Sequence, residues 1–462
     1  MSSHLSFGLT NPAAPKVLGP EAAIALLKTR TEAGSLLGYG NGRSYGDSCL
    51  NRQGAVVDMR SMNRILAFDP ETGMIEAEAG VLLSDIIAHV APHGFFPAVV
   101  PGTQFVTLGG AIANDVHGKN HHRRGTFGCH VEALTLLTSD RRTRRLKRGS
   151  NSRLFAATIG GMGLTGLILS ATVRMMRVPS LDIEEEITFF RGLDEYFDLA
   201  EAADAANEYA VAWTDQLAAG RREGRGLLIT GNHAEYGARK ASAAGMGLGV
   251  PFWMPVSVLN RPFLKLFNSA YCWKKSKARG KHNTGYQGFF FPLDGVADWN
   301  RLYGPKGLYQ HQSVVPEGEA RKTVPALLAA AREAGHGSFL TVLKRFGGVA
   351  SPGLISFSRP GYTLTLDFPN RGAETLALME RLDRITVEAG GAVNPYKDAR
   401  MAPEIFAASF QAWRNLEAHR DPAFLSDFWR RTAMRLSTET GRVLAAERRN
   451  SGGTRKTRIH SN

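Results

Sequence analysis

Cysteine is scarce in this chain: three residues in 462, Cys49, Cys129 and Cys272, with no CxxC pair. That excludes a disulfide framework and a thiolate zinc site, and it points to a reducing compartment. Long apolar runs are missing as well. No stretch of about 18 uninterrupted apolar residues occurs, and the first residues, from Met1 to Gly8, hold no basic segment ahead of an apolar one. Neither a transmembrane helix nor a cleaved signal is expected, which favours a cytoplasmic chain or one peripheral on the inner membrane. His117, His121 and His122 cluster without thiolates or paired carboxylates, so no metal site is expected. Acidic residues are outnumbered, 42 against 56 Lys and Arg, for a formal charge of +14. Signatures of RRM, helix-turn-helix and zinc-finger modules are absent, so charge alone argues for a nonenzymatic polyanion-binding protein and no nucleic-acid partner is expected. Much of the excess lies in the run from Asp140 to Arg148, a solvated hairpin rim, and in a polar tail from Arg448 to His460.

What is present is an ordinary globular composition, 43% hydrophobic, with 50 glycines and enough length for two packed domains. Helical spacing from Pro20 to Ala33 is followed by short strand-like runs at Ser35 to Gly38, Ala55 to Met59 and Met74 to Ala79. A helix from Leu83 to His93 precedes Phe95 to Val99, and strands resume at Val131 to Thr138 and Leu167 to Met175. Beyond Val178 the glycine-rich character stops. Strands are predicted at Ile183 to Phe190, Ala210 to Trp213, Gly226 to Thr230, Gln310 to Val315, Phe339 to Lys344 and Tyr362 to Phe368. Helices are predicted at Leu193 to Tyr209, Glu319 to Ala334 and Ala373 to Ala389, an order that suggests one antiparallel sheet backed by helices. Two last helices, Ala402 to His419 and Phe424 to Leu436, are expected to pack back on the first domain. The α+β chain thus divides into 8–178, 179–392, a returning segment 393–440 and a basic, disordered tail 441–462. Residues 246–281 fit neither pattern: Phe252, Trp253, Phe263, Leu266 and Trp273 alternate with Arg261, Lys265, Lys274 and Lys275. Such a segment suits either an anionic membrane surface or a substrate-covering loop that buries its aromatics.

Three glycine-rich elements carry the chemistry. The first, Gly38-Tyr39-Gly40-Asn41-Gly42-Arg43-Ser44-Tyr45-Gly46-Asp47, follows a strand, and its backbone amides can approach a phosphate unobstructed by β-carbons. It lacks the Lys-Ser/Thr ending of a P-loop. The second, Pro101 to His122, is dominated by small residues, with Thr103, Thr107 and Asn114 as donors for a diphosphate. The third, Gly161-Met162-Gly163-Leu164-Thr165-Gly166, matches GxGxxG, but a helix-like stretch precedes it and a strand follows, the reverse of the dinucleotide-binding order.

In this order and spacing the three elements resemble the FAD-binding domain of vanillyl-alcohol-oxidase type flavoproteins, a superfamily that includes D-arabinono-1,4-lactone oxidases. From Leu37 to Leu436 the chain resembles, within it, the decaprenylphosphoryl-β-D-ribose 2'-oxidase family. The specific blocks are Gly42 to Asp47, Gly109 to Ala113 with His117 to His122, Gly163 to Gly166, Pro292 to Asp294 with Trp299 to Arg301 and Tyr303 to Pro305, and Lys397 to Arg400.

The resemblance implies a two-domain flavoprotein, an FAD-binding domain and a substrate domain, that oxidises a ring hydroxyl of a polyprenyl-phosphoryl ribose in arabinan precursor synthesis. It implies that FAD is lined by Gly38, Tyr39, Gly40, Asn41, Gly42, Arg43, Ser44, Tyr45, Gly46, Asp47, Ser48 and Gly102. Thr107, Leu108, Gly109, Gly110, Asn114, Asp115, Val116, His117, Met162, Gly163, Leu164, Thr165, Gly166, Leu167, Ile168 and Lys397 complete that set. Where many relatives have a flavin-linked histidine in the first loop, this chain has Arg43, which implies noncovalent FAD. Lys397 is implied to stabilise charge at the flavin, and His117 to take the hydroxyl proton. Tyr45, His117, Phe290, Gln312, Lys344, Thr363, Thr365 and Lys397 are implied to line the substrate pocket, with Lys344 facing a phosphate. Phe290, Thr363, Thr365 and Asn394 depart from the family's pattern. A keto product implies a following NADH-dependent reductase, and the lipid implies peripheral membrane contact through 246–281. The alternative within the superfamily is a soluble alditol or aldonolactone oxidase.

Overall fold

The computed structural model describes residues 4–10, 14–29, 34–150, 153–242, 249–277 and 280–438. The basic tail, residues 243–248 and 278–279 of the aromatic and basic segment, and the end of the helix expected from Pro20 to Ala33 lie outside them. Ala55–Asp58 is the centre of a parallel three-stranded sheet between Lys16–Leu18 and Leu36–Tyr39. Parallel strands need a crossover, and the helix Pro20–Thr29 supplies one.

A second, six-stranded sheet is built around the 11-residue strand Leu167–Arg177, which pairs with Met74–Glu78, Val131–Leu137 and Phe95–Pro97. Its alternate residues Ala171, Val173 and Met175 are buried with Ile75, Ala77, Leu134, Leu136 and the helix Leu83–Val90. The basic rim is largely paired: Arg144 with Asp140, Arg145 with Glu76 and Arg148 with Glu132. Exposed pairs of this kind add little stability.

The third sheet has eight strands, all antiparallel, in the order Gly280–Thr284, Ile183–Phe190, Gly226–His233, Tyr209–Thr214, Val342–Phe346, Gly361–Pro369, Leu308–Val315, Ala392–Val393. Strand residues alternate between faces, so the register assigns each side chain to one of them. Ala212, Leu228, Leu343, Leu364 and Leu366 face the helices Leu193–Ala206, Glu317–Glu333 and Ala373–Glu388. The opposite face carries Gln310, Gln312, Lys344, Thr363, Thr365 and Asp367 on one half, and Trp213, Leu227, Ile187 and Phe189 on the other.

The helix expected to reach Tyr209 ends at Ala206, because Tyr209 opens a strand of the sheet. The segment from Arg261, which fitted no pattern, forms the helix Arg261–Lys277 and packs Tyr271 and Cys272 on Trp213, Ile187 and Leu227. The single helix expected from Ala402 to His419 is two, Pro403–Ser409 and Trp413–His419, because buried Phe410 takes an extended φ of −135°. The last helix begins at Asp427 rather than Phe424, since the chain there runs beside Leu36, whose amide donates to the Ala423 carbonyl and whose carbonyl accepts from Leu425. Arg52 and Arg431 then tie this returning segment to Asp427 and Asp47 at 2.7 and 2.8 Å.

Candidate functional site

The three glycine-rich elements converge. Asn114 Nδ2 donates to Ser44 Oγ at 3.2 Å, Asn41 Nδ2 to the Phe105 carbonyl at 2.8 Å, and the Met162 amide to the Ala113 carbonyl at 2.9 Å. A β-carbon on Gly40 would collide with the Thr107 hydroxyl, so glycine there is what lets the first two loops touch. The backbone amides of Asn41, Gly42, Arg43 and Ser44 donate to no described residue. Consecutive amides without acceptors form a concavity for an anion, and they fit the diphosphate of a dinucleotide. The half-buried Arg43, its Nε buried and unpartnered, holds its guanidinium 5.7 Å from the rings of Phe7 and Phe105. No group of three or more potential metal ligands occurs among the described residues.

Lys397 joins this assembly from the returning segment. Its Nζ lies 4.1 Å from the centroid of the Tyr45 ring. Tyr396 before it donates its hydroxyl to the Gly160 carbonyl at 2.8 Å, and Asp398 after it accepts from the amides of Arg400 and Met401 and from Arg431. The lysine is thus held between the first and third loops by its neighbours. Burial pushes its ammonium down to about 8 against the opposing pull of Asp367. Lys344 is likewise pushed down to about 8, by burial and then by Lys397.

The polar face of the eight-stranded sheet lies across from the loops. Asn394 Nδ2 donates to Gln312 Oε1 at 2.8 Å, which fixes the Gln312 amide with Nε2 toward Thr363 Oγ1 at 3.1 Å and His117 Nε2 at 3.0 Å. An amide nitrogen is a donor only, so this chain assigns the lone pair of His117 to Nε2 and its proton to Nδ1. Burial first, then Lys344, His121 and Lys397, hold the imidazole well below its ordinary range, and it is neutral. Asp367, fully buried, accepts from Gln310 Nε2 at 2.5 Å, and burial pushes its carboxyl up to about 7.

Of the expected residues, the structure brings together the backbone of the loop from Gly40 to Gly46, Thr107 to Gly110, Asn114, Met162 to Gly166, His117, Gln312, Lys344, Thr363, Thr365 and Lys397. Others point elsewhere. Phe290 is buried in an aromatic stack, 5.3 Å from Phe96 and 4.7 Å from Tyr209. The Asp115 carboxylate accepts from the Gly128 amide and from Ser351 and Ser356, so it ties a distant loop to the second element. Tyr39 donates to the Leu5 carbonyl, and Asp47 binds Arg431. Residues missed were Gln310, Asp367 and Lys119. The signal for the first two was polar residues at every second position, Gln310 with Gln312 and Thr363 with Thr365 and Asp367.

Residues 20–147 match the family described as an FAD binding domain. The chain is similar to decaprenylphosphoryl-beta-D-ribose oxidase of Mycolicibacterium smegmatis, 34% identical over 92% of this chain and 96% of that protein. It is also similar to an uncharacterised protein of Streptomyces coelicolor, 33% identical over 75% of this chain and 98% of the relative. L-gulonolactone oxidase of Bos taurus is 32% identical over 37% of this chain and 38% of its own length.

Proposed function

The chain belongs to the decaprenylphosphoryl-beta-D-ribose oxidase family of FAD-dependent oxidoreductases, and from that premise we propose that it oxidises the 2'-hydroxyl of a polyprenyl-phosphoryl ribose to a keto sugar. The observation that carries this reading is the meeting of His117 of the second loop and Lys397 beside the first with Gln312 and Lys344 of the sheet. Bound FAD supplies the hydride acceptor. Asn41 to Ser44 hold its diphosphate through their free amides, and with Arg43 in the first loop the flavin is noncovalent.

Lys397 opposes the negative charge that develops beside it as hydride leaves the sugar, which lowers the transition state more than the ground state. A sugar hydroxyl that takes the place of the Gln312 amide meets an unprotonated His117 Nε2 able to accept its proton. Lys344 receives the phosphate. Its pairing with an anion removes one of the repulsions that depress the imidazole, so the base strengthens when the right substrate is in place.

Two outcomes follow. Both lysines act as cations and lose their protons near pH 8, so kcat/KM is expected to fall as pH rises through about 8. A profile flat through that region contradicts the assignment. Asn394→Asp cannot donate to Gln312 Oε1; the amide turns over and offers an oxygen to His117, which then needs its proton on Nε2. We expect kcat to drop by about 100-fold with KM little changed, the lower end of what general-base catalysis contributes. Unchanged kcat contradicts the role of this chain of amides.

The lipid reading is supported by the outer face of the helix Arg261–Lys277 and the turn before it, where Phe252, Trp253, Leu266 and Trp273 are exposed among Lys265 and Lys274. We propose peripheral contact with an anionic membrane there. No described helix is long and apolar enough to cross a membrane. A keto sugar left on its lipid calls for a following NADH-dependent reductase. Comparison of kcat/KM for farnesylphosphoryl ribose and for L-gulono-1,4-lactone tests the substrate: a preference for the lipid sugar supports the reading, and a preference for the lactone replaces it with a soluble aldonolactone oxidase.

A further inference from the structure

Lys119 stands in the segment that follows His117. Its carbonyl accepts from the Ala210 amide at 2.9 Å, and Ala212, two residues along the same strand, pairs with Leu343, the neighbour of Lys344. Phe346, two residues after Lys344, lies 4.9 Å from the His117 ring and 4.5 Å from that of His121. The segment from His117 to His121 is therefore seated against the strand that carries Lys344.

The Lys119 ammonium donates to the Phe289 carbonyl and sits 4.4 Å from the centroid of the Phe289 ring. One of its three donors is used, and no described carboxylate pairs with it or with Lys344. The acids nearby are engaged elsewhere. Glu208 holds Asn120 and Arg124, Asp204 holds Arg345 and faces His122, and Glu185 holds Lys275 of the overlying helix.

The groups facing the pair are mostly cations. Lys119 meets Lys344, Glu185 and Lys275; Lys344 meets Lys397, His117 and His121. Burial, and then Lys344, push the Lys119 ammonium down to about 7. Two half-buried ammonium groups repel, and an anion between them relieves that repulsion.

We propose that Lys119 and Lys344 form a two-lysine seat for a phosphodiester. The proposal rests on the lipid-phosphate reading of the substrate and gives Lys119 a role within it. Beyond the seat the same sheet face continues through Ile229 and Ile187 to Trp213, which meets Tyr271 at 5.0 Å beneath the helix Arg261–Lys277.

The sign follows from linkage. Lysines held below their free value are partly unprotonated in the empty seat and fully protonated beside an anion, so binding consumes protons and weakens as pH rises. The test is calorimetric titration of the FAD-loaded protein with farnesyl methyl phosphate, a diester without sugar, and with farnesylphosphoryl ribose. Two buffers of different ionisation enthalpy are used, below and above the region where the lysines titrate. Proton uptake, tighter binding on the acid side, and loss of at least about tenfold in affinity for Lys119→Gln are expected, a charged hydrogen bond being removed. Lys119→Arg, which stays charged, is expected to keep the affinity and lose part of the proton uptake. Its retained affinity separates loss of charge from loss of fold.

Equal binding by wild type and Lys119→Gln, or binding with no proton uptake, overturns the seat even where farnesylphosphoryl ribose is oxidised. The converse outcome, the sugar-free diester bound with proton uptake while the ribose diester is not oxidised, keeps the seat and rejects the sugar.

Discussion

Replacing Lys397 by methionine is expected to lower kcat by on the order of 10²- to 10³-fold, the loss seen when a preorganised charge is removed from a developing anion. FAD is expected to remain bound. The segment around Lys397 is positioned by its neighbours: the Tyr396 hydroxyl on the Gly160 carbonyl, the Tyr45 amide on the Tyr396 carbonyl, and Asp398 on the amides of Arg400 and Met401. Methionine keeps the apolar stem on the Tyr45 ring and removes the charge alone. Asp367, whose carboxyl burial already pushes up to about 7, loses an opposing cation, rises further and takes up a proton, so the substitution strands no buried carboxylate. Rapid mixing of the oxidised variant with substrate under anaerobic conditions reads the rate directly. A rate close to wild type contradicts the assignment of Lys397 to the chemical step.

Gly46→Ala is expected to abolish stable FAD binding, and with it activity. A β-carbon on Gly46 would fall on the Asp398 carbonyl oxygen, which is backbone and held on both sides. Either the first glycine loop or the Lys397 segment has to withdraw, and each leaves the flavin site incomplete. The overall fold is expected to survive, since the sheets and their apolar clusters do not include Gly46. Purified Gly46→Ala should therefore be colourless with an ordinary circular dichroism spectrum; a yellow, active variant contradicts the convergence of these two segments.

The glycine elements were legible because their chemistry is written in consecutive residues. The GxGxxG stretch at Gly161 was separable from a dinucleotide fingerprint by its context: the helix Arg153–Thr158 precedes it and the strand Leu167–Arg177 follows. The helix Arg261–Lys277 was not legible because its inner face is narrow, Leu264, Asn268 and Cys272 buried at every fourth position, and includes an asparagine. Charges at Lys265 and Lys274 and aromatics at Phe263 and Trp273 share the exposed side, which blurs the period.

The sheet face was half legible. Gln312, Lys344, Thr363 and Thr365 came from the resemblance, but only the pairing of Gln310 with Asp367, Gln312 with Thr365 and Lys344 with Thr363 shows that they share one surface with Asp367. Asn394, known from sequence only as a departure, becomes intelligible once its amide is seen to fix Gln312 and, through it, the histidine tautomer. Lys119 stands inside the block from His117 to His122, but nothing local gave it a role; its environment is set by residues far along the chain, Phe289, Lys344 and Ala210.

The most direct test of the central claim is the visible spectrum of the purified protein, before and after acid precipitation, and then during anaerobic addition of farnesylphosphoryl ribose. The account predicts a yellow supernatant, from noncovalent FAD, and loss of the oxidised flavin absorbance as the lipid sugar is added. Flavin that stays oxidised with the lipid sugar but bleaches with L-gulono-1,4-lactone would contradict it.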